Sequence, residues 1–329
     1  MSTKPQILSV GSMAFDSVKT PAGKVESSLG GSVNYFSISA APFVPVNIVA
    51  VVGEDYPKAE LEWLNSKGVN TSGVKVAPGE TFHWVGDYTD DLNEAKTLST
   101  FLNVFEHFDP QLSETQRHCD YVFLGNIDPD LQHSVLDQVE NPKLVGCDSM
   151  NFWITGKKAR LVQLLERIDI LSINEKEALE LTEKGNVLEA SEEILKMGPS
   201  AVVVKRGEYG AFLRTHQDIF LASAFPIKNV VDPTGAGDSF AGAMMGYLAS
   251  SGVDRSMART DTKLWNETLR QSILVGCVMA SFTVESFSFD RLRELSSSEF
   301  KDRFVSLRSM VEVHPPKNLD DILCAGAFS

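Results

Sequence analysis

The feature that most restricts the fold of this chain is a regular alternation of short apolar runs with amphipathic segments. The apolar runs are rich in β-branched and aliphatic residues and have the length of buried strands. They lie at residues 7–10, 46–52, 121–124, 144–146, 168–173 and 201–205. Helical spacing is seen at residues 58–66, 130–139, 157–167, 176–181 and 187–197, and in two longer segments at 235–251 and 262–284. Strands that alternate with helices predict a mainly parallel sheet, covered by helices on both faces.

Two stretches interrupt this alternation. Residues 18–29 alternate in polarity around a proline and a glycine, and residues 80–103 begin with alternating aromatic positions before an acidic turn. Together they predict a small antiparallel sheet at one edge of the main sheet, which acts as a lid or is surface decoration without a role. Since no Pro-, Ser- or charge-rich linker divides the chain, we predict one domain over residues 1–329, with a lid split between about 17–30 and 75–104.

Composition excludes several classes of protein. Hydrophobic residues make up 43% and charged residues 22%, as in ordinary globular proteins. Net charge is −14, so a nucleic-acid partner is not expected, and an anionic nucleotide would need a local binding device. No apolar run reaches the roughly 18 residues of a membrane span, and the first residues do not resemble a signal peptide. We therefore expect a cytoplasmic protein without a membrane partner, whose four scattered cysteines are reduced thiols.

The segment VVDPTGAGDSF at residues 230–240 carries the strongest chemical signal. It follows an apolar strand end and leads into an amphipathic run, so a helix should begin near Gly235. The unpaired amides of a helix N-terminus attract anions, and small residues let a ligand approach them. Asp238 in this first turn could simply cap the helix. Beside an anion cradle, however, a carboxylate suits phosphoryl transfer, because it can accept the proton of the attacking hydroxyl.

The sequence resembles the ribokinase-like, or PfkB, family of carbohydrate and nucleoside kinases. DPTGAGDSFAGA at residues 232–243 is similar to the C-terminal signature of that family. Five further segments are similar to family motifs and follow the family order: GGSVNY at 30–35, VVGED at 51–55, GVNTSGV at 68–74, NEKE at 174–177 and KRGEYG at 205–210. The resemblance covers roughly residues 7–290. It implies a ribokinase-like three-layer α/β/α fold with a small β-sheet lid, and an ATP-dependent kinase.

For catalysis, the resemblance implies that Asp238 is the general base. It also implies that Gly235, Ala236 and Gly237 form an anion hole through their backbone amides. Pro233 differs from the threonine that is common in the family, but it should leave the cradle intact, because proline only fixes φ and removes one donor.

For the nucleotide, the resemblance implies that Asn174 and Glu177 organise Mg²⁺ near the triphosphate of ATP. Taken alone, Glu177 is an ordinary carboxylate near a helix start. Lys205, Gly207 and Gly210 lie in a turn that the resemblance places against ATP, although a plain hairpin has the same glycines. A Walker-type phosphate loop is absent from the sequence.

For the acceptor, Asp16 matches the hydroxyl-binding aspartate of the family, although it could be a turn residue. A carboxylate accepts two hydrogen bonds from neighbouring hydroxyls, which suits a polyol. Gly30 and Gly31 would let the substrate touch the backbone at the lid hinge. Asn126 follows a strand end and is expected to face the same cleft.

The paired-glycine motif departs from the family pattern. Many members have Asn at its sixth position, whereas this chain has Tyr35 there and Asn34 one place earlier. Both are candidate acceptor-binding residues. Phe82, Trp84 and Tyr88 in the lid segment can stack on a sugar or a base, or can pack the lid sheet itself. Since basic residues are few there, we expect an uncharged acceptor, a free sugar or a nucleoside.

Several alternatives remain at this point. The resemblance allows a monovalent cation such as K⁺ near Asp232 and residues 280–286. A free sugar or related polyol is the first acceptor hypothesis, and a nucleoside is the second. A non-catalytic ligand-binding protein on the same fold is the hypothesis from another class. A dinucleotide oxidoreductase is excluded, because no Gly-x-Gly-x-x-Gly follows the first strand. Pairing of lid edges between subunits predicts a homodimer, with a monomer as the alternative.

Overall fold

The computed structural model of the chain describes residues 5–312. The strands in this range are β1 Ile7–Val10, β2 Ala14–Thr20, β3 Gly23–Gly30, β4 Val46–Gly53, β5 Val69–Ala77, β6 Phe82–Asp87, β7 Lys96–Phe101, β8 Tyr121–Leu124, β9 Leu144–Asp148, β10 Ile170–Asn174, β11 Ala201–Lys205, β12 Ala211–Thr215 and β13 Ile219–Ala222. The α-helices are α1 Ser32–Ala40, α2 Lys58–Ser66, α3 Glu114–Arg117, α4 Pro129–Gln138, α5 Asn151–Gly156, α6 Lys158–Leu165, α7 Glu175–Thr182, α8 Val187–Lys196, α9 Ala236–Ser250, α10 Met257–Thr260, α11 Thr262–Thr283, α12 Asp290–Glu294 and α13 Ser297–Val311. Two 3₁₀ turns lie at Asn103–His107 and Gly207–Tyr209.

The main sheet has nine strands in the order β13-β12-β11-β10-β9-β8-β1-β4-β5. All neighbours from β5 to β11 pair in parallel, whereas β12 and β13 are antiparallel additions at one edge. All eight residues of β4 are buried, as expected for a strand covered on both faces. The prediction of a mainly parallel sheet with helices is confirmed.

Two apolar clusters hold the layers together. One lies between the sheet and α1, α9 and α11, and its largest buried side chains include Trp265, Phe36 and Phe123. The rings of Phe36 and Phe123 stack at a centroid distance of 4.3 Å. The second cluster lies on the other face, against α4, α6, α7 and α8. Because both faces of the sheet are buried, its open edge at the strand carboxyl ends is the natural place for polar chemistry.

The smaller sheet has four strands in the order β3-β2-β6-β7. The pairs β2–β3 and β6–β7 are antiparallel, while β2 and β6 pair in parallel because β4, α2 and β5 intervene in the chain. Two hydroxyl groups tie this sheet to the C-terminal part of the chain: Thr20 donates to the Val231 carbonyl at 2.7 Å, and Ser288 donates to the Leu29 carbonyl. Both ties hold the hairpin of β2 and β3.

Two expectations about the chain as a whole can be compared with the structure. Cys119, Cys147 and Cys277 are buried free thiols, and Cys324 lies outside the described residues. Within residues 5–312, none of the helices combines the length and the apolar character needed to cross a bilayer.

Candidate active site

Three neighbouring strands end in polar residues at one edge of the main sheet. β9 ends at Asp148, β10 at Asn174 and β11 at Lys205. The parallel register sets Asn174 beside Lys205, while Asp148 lies beside Ser172, two residues before Asn174 on β10. The carboxyl ends of parallel strands meet at the same edge, so these groups converge there.

The Lys205 ammonium forms an ion pair with Asp148 at 2.8 Å, and the two side chains are only 18% and 7% exposed. Burial alone would lower the pKa of Lys205, but the negative charges of Asp148 and Glu177 outweigh it and raise the pKa. The ammonium lies 3.1 Å from the point where a side chain at Gly237 would begin. A buried, permanently charged cation therefore stands next to the start of α9. The sequence hypothesis placed Lys205 at the nucleotide and did not include Asp148.

The segment before α9 makes a tight left-handed turn. Gly235 has φ +74° and precedes the first helical residue, and the Asp232 carboxylate accepts the Thr234 amide at 2.9 Å. The Ala236 amide donates to the Pro233 carbonyl at 3.1 Å. Within residues 5–312, the Gly235 amide and the Gly237 amide donate no hydrogen bond to a backbone carbonyl. Two of the three amides expected to form the anion hole are therefore available, and Ala236 closes the turn in this state.

The ring of Tyr35 packs against this turn. Its side chain is 1% exposed, and a Cβ at Gly235 would come within 2.4 Å of its ring. Phe289 packs edge-on against the same ring at a centroid distance of 5.5 Å. Asp16, Asp232 and Asp238 all contribute to raising the pKa of Tyr35, after burial itself, so its hydroxyl lies among these carboxylates. Tyr35 thus contacts the candidate anion hole and reaches towards the carboxylates.

Asn34 is fully buried, and its side-chain oxygen has no hydrogen-bond partner among the residues that the structure describes. Its amide nitrogen donates to the Gly30 carbonyl at 2.6 Å and to the Tyr56 hydroxyl at 3.1 Å, and the side chain is fully buried. In this arrangement Asn34 holds the backbone of the paired glycines, of which Gly31 has φ +91°. The side chain expected to bind the acceptor therefore acts on the hinge of the small sheet.

Asp16 and Asp238 lie close enough for the charge of Asp238 to raise the pKa of Asp16. Burial, with a contribution from Asp232, raises the pKa of Asp16 to about 7. Burial, with a contribution from Asp148, raises the pKa of Asp238 to about 7 against the opposing effect of Lys205. A general base is most effective when its pKa lies near the working pH, so the environment of Asp238 suits proton abstraction.

The paired glycines make room for Asp16. A Cβ at Gly30 would lie 1.9 Å from the Asp16 carboxylate, so only glycine lets the two approach. On the neighbouring strand of the small sheet, Trp84 is the cross-strand partner of Asp16. Aligned residues of neighbouring strands point to the same face of the sheet. Trp84 therefore lies on the same face as the candidate hydroxyl-binding carboxylate, and its indole ring extends along that face towards Gly86, Thr97 and Tyr88.

Of the other lid aromatics, Phe82 packs within the protein and Tyr88 lies near the carboxylates. Phe82 packs against Phe105 at a centroid distance of 5.4 Å, so it serves the base of the small sheet. Tyr88 lies edge-on to Trp84 at 6.4 Å, and burial raises its pKa, as do Asp232 and Asp16 to a smaller extent. Trp84 and Tyr88 are thus the aromatic pair near the carboxylates.

Asn126 also has a protein partner. The Trp153 indole donates to its side-chain oxygen at 3.0 Å, which turns the amide towards α5. Asn126 is half-buried at the same strand edge as the other candidates, but its oxygen is already engaged.

Asn174 and Glu177 cap α7 reciprocally. The Asn174 side chain accepts the Glu177 amide at 2.8 Å, and the Glu177 carboxylate accepts the Asn174 amide at 3.0 Å. Burial, with a contribution from Asp148, raises the pKa of Glu177 to about 7. Residues 5–312 contain no converging group of three His, Cys, Asp or Glu side chains that could cage a metal. Magnesium in nucleotide sites uses one or two carboxylates with phosphates and water, and the second oxygen of Glu177 with nearby Asp148 fits that need.

The turn after β11 has the expected glycine geometry. Gly207 has φ +54° and Gly210 has φ +88°, conformations that side-chain-bearing residues adopt at a cost. The loop between β6 and β7 reaches this turn, since a Cβ at Gly207 would lie 1.8 Å from the side-chain oxygen of Asn93. The small sheet therefore also contacts the turn that follows the carboxyl end of β11, on the expected nucleotide side of the main sheet.

Comparisons with known proteins agree on one family. The sequence model of the pfkB family of carbohydrate kinases matches residues 4–291. A cytidine kinase from Thermococcus kodakarensis is 28% identical over 254 residues, which cover 73% of this chain and 86% of that protein. The crystal structure of a nucleoside kinase from Methanocaldococcus jannaschii has a TM-score of 0.70 at 18% identity, covering 92% of this chain and 98% of that one. Arabidopsis thaliana ribokinase, solved with ribose and ATP, gives a TM-score of 0.70 at 21% identity over 92% and 99% of the two chains.

Proposed function

Since this chain belongs to the pfkB family of carbohydrate kinases and is thus a phosphotransferase with an alcohol acceptor, we propose that it transfers the γ-phosphate of ATP to a hydroxyl of an uncharged, ribose-like acceptor. The observation that carries the proposal is the position of Asp238. Its half-buried carboxyl group has a pKa raised to about 7 and lies at the start of α9, beside two amides without backbone acceptors. A base and a set of anion donors are then within reach of one reacting hydroxyl.

In this proposal Asp238 accepts the proton of the acceptor hydroxyl while its oxygen attacks the γ-phosphorus. The Gly235 and Gly237 amides donate to the oxygens of the migrating phosphoryl group, and the dipole of α9 adds positive potential there. Lys205, held by Asp148, supplies a cation on the nucleotide side. Such preorganised donors need no rearrangement at the moment of transfer, which is why they lower the barrier.

Glu177 and Asp148 would hold Mg²⁺ with the phosphates of ATP. When bound, the ion would neutralise charge on the transferring phosphates. Asn174 fixes the Glu177 side chain through the reciprocal cap, so the carboxylate does not have to be ordered on binding. The carbonyl-rich segment near Asp232 is the place where K⁺ would bind, which stays a prediction.

The charges of the cleft argue for a neutral acceptor. The charges of Asp16, Asp232 and Asp238 lie close enough to shift the pKa of one another or of the same tyrosine hydroxyls. Burial raises the pKa of each of the three carboxyl groups. A phosphorylated sugar would add negative charge beside them at a large electrostatic cost. A polyol, in contrast, can donate two hydrogen bonds to Asp16.

A nucleoside is the acceptor that the site supports best. Trp84 is the cross-strand partner of Asp16, so one molecule can place its ribose hydroxyls at Asp16 and its base against the indole ring. The 28% identity to a cytidine kinase points in the same direction. A free sugar is the second candidate, because the hydroxyl-binding carboxylate is present whether or not a base stacks on Trp84.

The test uses purified protein, ATP and Mg²⁺ with panels of nucleosides and free sugars, and measures ADP release. We expect acceptor-dependent release with at least one nucleoside and a higher kcat/KM for it than for free ribose. Preference for free sugars would replace the nucleoside with the second candidate. Nucleotide binding without any acceptor-dependent release across both panels would instead support a non-catalytic binding protein.

A further inference from the structure

The loop between β6 and β7, residues 88–95, extends from the small sheet to the turn after β11 and the start of α7. Its base is well defined: the Tyr88 amide donates to the Lys19 carbonyl at 2.8 Å, and the Thr89 amide donates to the Asp87 carboxylate at 2.8 Å. Nearer the tip, the Asn93 amide donates to the Asp91 carboxylate at 2.7 Å. These local hydrogen bonds between aspartate side chains and nearby amides restrict the conformation of the loop and therefore the position of its tip.

The tip of loop 88–95 touches two elements of the candidate nucleotide site. Asn93 lies against Gly207, where even a methyl group would overlap its side-chain oxygen. Glu94 forms an ion pair with Lys176, which lies in the first turn of α7 between Asn174 and Glu177. The small sheet is thus connected to the nucleotide side, and not only to the acceptor side near Asp16.

The ion pair of Lys176 with Glu94 is exposed to solvent. The Lys176 side chain is 65% exposed and that of Glu94 is 53% exposed, so the pair is weak and exchangeable. Lys176 precedes Glu177, the carboxylate proposed to hold Mg²⁺ with the phosphates of ATP, so a triphosphate bound there would attract the same ammonium group. Two anions, Glu94 and a phosphate, would then compete for one lysine.

We propose that loop 88–95 is a latch that the nucleotide releases: Glu94 holds Lys176 and keeps the loop on the Gly207 turn while the site is empty, and Lys176 exchanges Glu94 for a phosphate when ATP or ADP binds. The inference rests on the proposed nucleotide site. It makes Glu94 a residue that lowers nucleotide affinity, because its contact must be given up on binding, and it makes Lys176 a residue that raises that affinity.

The affinity test compares Glu94→Gln with Asp90→Asn by titration calorimetry with MgADP. Both substitutions remove one negative charge from the same exposed loop, but Asp90 makes no ion pair within residues 5–312. We expect Glu94→Gln to bind MgADP roughly two- to fivefold more tightly, the range for an exposed ion pair, and Asp90→Asn to match the wild type. Lys176→Gln should bind more weakly, and adding Glu94→Gln to it should give no further gain.

A second readout follows the loop itself. Hydrogen exchange of residues 88–95 should be faster in Glu94→Gln than in Asp90→Asn without nucleotide, and MgADP should accelerate it in the wild type. Unchanged or weaker MgADP binding in Glu94→Gln, or protection of the loop by MgADP, would overturn the latch while leaving the kinase proposal intact. Absence of MgADP binding in the wild type would instead refute the nucleotide site, and the latch with it.

Discussion

Replacing Asp238 with asparagine separates two consequences of burying this carboxyl group. The amide has nearly the same shape, so the packing at the start of α9 is kept. It cannot accept the hydroxyl proton, and it carries no charge that needs solvation. We therefore expect Asp238→Asn to lose turnover and to gain folding stability.

The magnitude of the loss in turnover follows from the role of a general base. Such a group contributes about 10²–10⁴-fold, so kcat should fall by that factor while nucleotide binding persists. In the wild type, only the ionised carboxylate accepts a proton. Because the pKa of Asp238 is raised to about 7, kcat/KM of the wild type should rise with pH up to about 7.

The gain in stability follows from the raised pKa of Asp238. The difference between its ordinary value of 3.8 and about 7 sets an upper bound of about 4 kcal/mol on the cost of ionising this group, and the cost is smaller because Asp238 is only half-buried and water screens its charge. Below pH 3.8 both the folded and the unfolded chain hold the proton, and the cost is absent. Between pH 3.8 and about 7 the unfolded chain has released the proton while the folded protein still holds it, so stability falls as the pH rises and the loss is complete above about 7. Asparagine has no such step, so the variant should be the more stable protein at pH 8.

The assay combines steady-state kinetics with urea unfolding of the nucleotide-free protein at pH 5 and pH 8. The stability gain of Asp238→Asn over the wild type should be larger at pH 8 than at pH 5. Asp302→Asn, at an exposed position of α13, removes the same formal charge and should change neither property. Near-normal turnover in Asp238→Asn would refute the assigned base. An equal stability difference at both pH values would refute the account of its burial.

Four other substitutions test the rest of the site. Gly235→Ala should lower the free energy of unfolding by about 1–3 kcal/mol and reduce turnover, because the alanine would have φ +74° and its Cβ would clash with the buried Tyr35 ring. Gly185→Ala is the control in thermal unfolding, because a Cβ there has no atoms within 4 Å. Asp148→Asn should cost about 3 kcal/mol by leaving its lysine partner unpaired, and should move the acid limb of the pH–rate profile to lower pH. Trp84→Ala should raise KM about tenfold for nucleosides and less for ribose. Glu177→Gln should raise the Mg²⁺ concentration that half-saturates activity. In the wild type the same Mg²⁺ concentration should rise below about pH 7, because protons then compete with Mg²⁺ for the Glu177 carboxylate.

The fold could be predicted from apolar runs because strands buried on both faces are apolar throughout. α1 and β5 are among the elements that escaped that signal. α1 is buried on all sides, and its sequence SVNYFSISA includes three serines, so it has no apolar stripe with a polar opposite face. β5 lies at the edge of the sheet with Asn70 and Ser72 exposed and Thr71 buried, and the polar segment NTSG obscures the apolar strand pattern. Both become ordered through tertiary contacts that a local pattern does not contain.

The candidate site shows a similar division. The glycine turn before α9 is recognisable because only small residues permit it. The ion pair of Asp148 with Lys205 depends on strands separated in sequence, although a carboxylate directly after an apolar run was a usable signal. Asn34 and Asn126 have engaged side chains because of Tyr56 and Trp153, which no motif links to them. The homodimer and the cytoplasmic location stay predictions.

The neighbouring ends of β9, β10 and β11 also limit how this enzyme can change in length. The spacing of Asp148, Asn174 and Lys205 is set by hydrogen-bond register, and each strand alternates its side chains between two faces. Deleting one residue within β10 would turn the side chains on one side of the deletion to the opposite layer, whereas extra residues between α8 and β11 would leave the edge untouched. Tolerance to insertions should therefore be high in the connections that precede these strands and absent within them.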